Sequence, residues 1–139
     1  MRILRNTIMG IIAIMGFYFV VSGWSPNAIA YKAISDSRNR VRVDVRPVQL
    51  APGTSVKFEV RMNTHSVGLN HDLLAVSTLT DDKGNVYRPT NWEGSPPGGH
   101  HRSGVLEFPA LEGDPGSVTL IIRDIANVPA RKFEWAVDR

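Results

Sequence analysis

From residue 40 onward, polar and apolar positions alternate with a period of two. In Val41-Arg42-Val43-Asp44-Val45-Arg46 valine takes one face and charge the other, which is the mark of a half-buried strand. Residues 55–62 repeat the pattern as Ser-Val-Lys-Phe-Glu-Val-Arg-Met. A third apolar run covers residues 73–80, and Asp81-Asp82-Lys83-Gly84 after it is hairpin turn chemistry. Val86-Tyr87-Arg88 resumes a strand toward Trp92, and Val105 to Phe108 forms another, stopped by Pro109. After the turn Glu112-Gly113-Asp114-Pro115-Gly116, residues 118–122 are nearly continuously apolar, which predicts burial on both faces. Alternation returns in Lys132-Phe133-Glu134-Trp135-Ala136-Val137.

About seven short strands with turns between them, and no stretch after residue 30 of sustained helical period, predict an immunoglobulin-like antiparallel β-sandwich over residues 40–139. A small β-barrel has the same period and is the alternative. The expected core is Phe58, Leu74, Val76, Leu106, Phe108, Leu120, Ile122, Phe133 and Trp135.

The start of the chain follows another pattern. Arg2 and Arg5 precede an apolar run from Ile8 to Val21, then Ser22, Gly23, Ser25 and Pro26, then Ala28-Ile29-Ala30. That order is a signal peptide over residues 1–30 with a small-x-small cleavage site, and it predicts an extracytoplasmic protein, secreted or periplasmic. The alternative is an uncleaved membrane anchor with the domain facing outward. Residues 31–39, polar and aperiodic, read as a linker. Cleavage of 30 residues from 139 leaves 109, enough to bury roughly two-thirds of the unfolded surface without disulfides.

Charge narrows the partners. Setting Arg2 and Arg5 aside, 14 basic side chains face 13 acidic ones, so the domain lacks the field that nucleic acid requires. Arg38, Arg40, Arg42 and Arg46 form a basic stripe that reads as the outward face of an edge strand. Cysteine is absent, which excludes disulfides, thiolate metal sites and a cysteine nucleophile.

The densest chemistry is Gly94-Ser95-Pro96-Pro97-Gly98-Gly99-His100-His101-Arg102, a loop shaped by proline and glycine. If strands simply alternate in direction, this loop shares one end of the domain with residues 63–72. All four histidines, His65, His71, His100 and His101, then fall at that end, with Asp72, Glu93 and Asp124 nearby. Three readings compete. The first is a transition-metal site for zinc or copper on the four imidazoles. The second is an anion or sugar pocket built from Arg102, the Gly98 and Gly99 amides and Trp92. The third is structural, the histidines donating to loop carbonyls.

Thr64-His65-Ser66 with Asp72 offers the residue types of a hydrolase, but no G-x-S-x-G turn, phosphate loop or dinucleotide fingerprint is present. Asp81-Asp82 is turn chemistry before it is a calcium site. The expectation is therefore a non-enzymatic binding or interaction module. Its partner is a protein or glycan, its site is the histidine-bearing end, and Trp92, Glu93 and Arg102 are candidate contacts. A transition metal is the one cofactor in view, and a membrane is met only through an uncleaved leader.

Thr64-His65-Ser66-Val67-x-Leu69, Asp81-Asp82-x-Gly84-x-x-Tyr87-x-Pro89, the run Trp92-Glu93-Gly94 through Arg102, and the stretch from Leu120 to Trp135 together resemble a group of small exported bacterial and archaeal proteins of uncharacterised function. The resemblance spans nearly all of the chain after residue 40, and Pro-Pro-Gly-Gly-His-His-Arg is its most specific part. It implies a compact extracytoplasmic β-domain and brings no activity, substrate or ligand with it.

Overall fold

The computed structural model describes residues 30–138. The signal peptide or anchor expected over residues 1–30 lies, but for Ala30, outside the described residues. No helix among the described residues is long and apolar enough to cross a membrane.

Among the described residues nine strands form two antiparallel sheets. The first holds β1 (Ile34–Arg38), β2 (Val41–Gln49), β3 (Val56–Thr64), β7 (His101–Phe108) and β6 (Asn91–Gly94), in that order. The second holds β5 (Val86–Tyr87), β4 (Ser77–Asp81), β8 (Ser117–Ile122) and β9 (Arg131–Ala136). In order across the sheets, β2-β3-β7-β6 against β4-β8-β9 is the four-on-three immunoglobulin arrangement, with β1 and β5 added at sheet edges. Two separate sheets with free edges rule out the closed barrel.

The inward residues of both sheets make one core. Val43, Val45, Phe58, Val60 and Met62 of the first sheet meet Leu79, Leu120, Ile122 and Phe133 of the second, all fully buried. Phe58 bridges the layers, with its ring centroid 5.9 Å from Phe108 and 5.3 Å from Trp135.

Four expectations need correction. Residues 31–39 are not a linker, because residues 34–38 are β1, an edge strand whose polar side chains leave only Ile34 packed against the core. β1 covers β2, so Arg42 and Arg46 lie on an inner strand rather than an edge. The apolar run from residue 73 opens as one helical turn, α1 (Leu73–Val76), capped by the Asp72 carboxylate on the Leu74 N–H at 3.0 Å. That turn rotates Leu73 into the core and leaves Leu74 38% exposed and Val76 half-buried. β8 is buried on alternate residues only, its other face being half-covered.

The strand expected from Val86 toward Trp92 is one traverse that changes sheet. β5 leaves the second sheet at Tyr87, and the chain joins the first at Thr90, whose N–H donates to the Glu107 carbonyl at 2.8 Å. Arg88 and Pro89 make the corner, and Pro89 has no N–H to lose there. Because both halves run in one direction, the loop count made from the sequence still reaches the correct end.

Candidate functional site

The end of the sandwich where β3 stops and β7 starts is built from two loops that bond to each other. Leu69 N–H donates to Gly99 O at 3.1 Å, and Gly98 N–H donates back to Leu69 O at 2.8 Å. Thr64 N–H reaches His100 O at 3.0 Å and extends the β3–β7 ladder by one rung. Gly98 and Gly99 have φ of 117° and 71°, a conformation that side chains resist, which explains their place after two prolines.

Arg102 holds this arrangement from inside. It is 3% exposed. Its Nη1 donates to Leu69 O at 3.2 Å and His71 O at 2.7 Å, and its Nη2 to Ser95 O at 3.4 Å. The guanidinium carbon lies 5.8 Å from the Trp92 ring centroid, a cation–π contact. Desolvation lowers the Arg102 pKa, against the opposing charge of Asp72. The loop-pinning role expected of the histidines thus belongs to Arg102, which is spent on carbonyls rather than offered to a ligand. Trp92 is likewise engaged, its Nε1 donating to Ser95 O at 2.9 Å. Glu93 lies exposed on the outer strand β6.

Arg131 performs the same task one layer away and was not anticipated. It is fully buried. Nη1 donates to Asp36 Oδ1 at 2.8 Å, to Asp36 O and to Val41 O, while Nη2 donates to Arg38 O and Ile125 O. It thereby ties the β1–β2 hairpin to the turn Ile125–Asn127 that follows β8. Burial lowers its pKa, partly offset by Asp36. Asp36 in turn is held below the usual carboxylate value by the hydrogen bond from Arg38 and the nearby charge of Arg131.

The four histidines share this end but not one centre. His65 and His101 line a single cleft of about 300 Å³, together with Ser37, Arg40, Arg42 and Asn63. His101 is oriented by a 2.8 Å hydrogen bond between its Nδ1 and Asn63 Oδ1. His100 is exposed on the adjoining loop, and His71 Nδ1 is buried without a hydrogen-bond partner. Among the described residues no group of three or more histidine and carboxylate side chains converges to hold a metal. Arg40 lines the cleft with no carboxylate beside it, Arg42 being paired with Asp44, and the Arg40 charge opposes a cation.

The floor of the cleft is stiff. Thr64 Oγ1 donates to Arg40 O at 2.8 Å and accepts the N–H groups of Ser66 and Val67, both at 3.3 Å. Asn39 Nδ2 donates to Ala126 O at 3.0 Å, fastening the hairpin tip to the next loop. Asn63 is a contributor the sequence did not single out, and Arg40 and Arg42 were read only as part of an outward basic stripe. The signal for Arg40 was the Asn39-Arg40 pair, but a hairpin turn is recognised only when strands flank it on both sides.

A larger groove of about 600 Å³ lies at the opposite end, between the entry segment at Tyr31 and Trp135 of β9. It is largely apolar and carries none of the histidines. No family model, no curated protein and no solved structure matches the chain.

Proposed function

We propose that this is an exported, non-enzymatic binding module whose ligand or partner occupies the cleft at the histidine-bearing end. One observation carries the reading. Loops from four parts of the chain are locked together there by two buried arginines, and the product is a preformed cleft with His65, His101, Arg40 and Arg42 around it. Preformed clefts on rigid supports are where ligands bind, because little ordering cost remains to be met. Export rests on the leader pattern of residues 1–30.

The test is a thermal-shift screen of the protein against anions, saccharides, and zinc and copper salts, run beside a His65→Ala/His101→Ala variant. A ligand that binds only the folded state raises Tm by mass action. The expected result is a ligand that stabilises the wild type and leaves the variant unmoved. If every stabilising ligand acts equally on both proteins, the site is elsewhere.

A further inference from the structure

We infer that the cleft takes an oxyanion, specifically the phosphate of a small monoester, and that Arg40 is its principal ligand. The inference rests on the binding-module reading above and goes further by naming the chemistry. It starts from the backbone. Residues 39 and 40 are the two central residues of the hairpin turn between β1 and β2, with φ of 49° and 65°. A two-residue turn with positive φ at both positions strongly favours Asn-Gly, because glycine alone accepts the second position without a steric cost. This chain has Asn39, as the turn prefers, and then arginine where glycine fits best.

Nothing within the fold accounts for that arginine. Its carbonyl is used by Thr64, but glycine offers the same carbonyl. Its guanidinium has no hydrogen-bond or ion-pair partner among the described residues, unlike its neighbours Arg38 and Arg42, which bond to Asp36 and Asp44. Arg40 instead lines the cleft with Asn63 and the two histidines, and also the adjoining hollow beside Asn39, Val67 and Ala126. A charged group kept at a backbone cost and left unpaired beside a cavity is the arrangement of a ligand contact.

The lining selects the ligand. The unpaired Arg40 guanidinium, with no carboxylate among the lining residues, favours an anion, and the planar fork of arginine matches the oxygens of phosphate. The cleft of about 300 Å³ is at the small end of organic ligand sites and roomier than a bare tetrahedral ion.

Isothermal titration of the full chain with inorganic phosphate and with glucose 6-phosphate, for wild type and Arg40→Gly, tests the assignment. Wild type is expected to bind the ester more tightly than the free ion, and Arg40→Gly to bind both at least tenfold more weakly. Arg40→Gly is also expected to melt at the same temperature or higher, since glycine suits the turn. Equal affinity for the two probes supports the same site with the free ion as its source. No binding of either probe, unchanged affinity in Arg40→Gly, or a lower melting temperature in that variant overturns the inference. If oxyanions fail while another ligand still distinguishes wild type from His65→Ala/His101→Ala, the binding end stands and only its phosphate chemistry falls.

Discussion

Arg131 is fully buried and makes five hydrogen bonds to four residues. Four of those five go to carbonyls, so Asp36 is its only counter-charge among them. Removing one member of a buried pair leaves the other charge uncompensated. Asp36→Asn is therefore expected to destabilise the domain by about 3 kcal/mol, near the low end for such a change because the amide keeps an oxygen for Nη1. Denaturant midpoints at neutral pH measure it. The pH dependence has a definite sign. Asp36 is held below its ordinary value, so the unfolded chain binds the extra proton first on acidification. The contribution is complete above an unfolded carboxylate pKa of about 3.9 and is lost as pH falls toward the lower folded value. The gap between wild type and Asp36→Asn should close below about pH 4; a gap that stays constant under acid contradicts the role given to the pair.

At the scale of elements, the pairing of β6 with β7 depends on two facing glycines. Gly94 and Gly104 are register partners, and the Trp92 indole lies across both. A Cβ on residue 104 would stand 2.5 Å from Glu93 O and 2.8 Å from Trp92 Cη2. Gly104→Ala must then displace either the backbone of β6 or the ring, at a cost of roughly 1–3 kcal/mol. Urea unfolding followed by tryptophan emission reads both the loss and the shift of the ring. A variant as stable as wild type would mean that β6 is not fixed by this contact. The same elements show what the sequence made legible. β2, β3 and β9 are sheet-forming with one wet face, so alternation located them, though of their buried apolar residues the expected core named only Phe58, Phe133 and Trp135. β1 is polar on both sides because its Asp36 turns to Arg131 rather than to an apolar core, and no pattern of hydrophobic residues can report that. The two buried arginines did leave a trace. Arg102 is in phase with Leu106 and Phe108, and Arg131 with Phe133 and Trp135, so each is a cation on the apolar face of a strand. Placement of the four histidines at one end was legible by counting turns. Their division into two lining a cleft and two outside it was not, since it depends on side-chain direction at loop positions.

Taken whole, the molecule keeps its chemistry at the two ends of the sandwich. Asp81, Asp82 and the 112–116 loop come together at the end where the chain enters, through the bonds from Tyr87 Oη to Asp81, Glu112 N–H to Tyr87 Oη, and Gly116 N–H to Asp82. Tyr31 bonds there to both Leu50 and Asp138, which fixes the first described residues beside the last. The histidine-bearing cleft occupies the other end, a full strand length from Tyr31. A map of backbone amide shifts on adding glucose 6-phosphate locates the ligand on the molecule. The largest changes are expected on Arg40, Arg42, Asn63, His65 and His101. Changes concentrated around Tyr31 and Trp135 at the opposite groove, or none at the cleft, would contradict that placement.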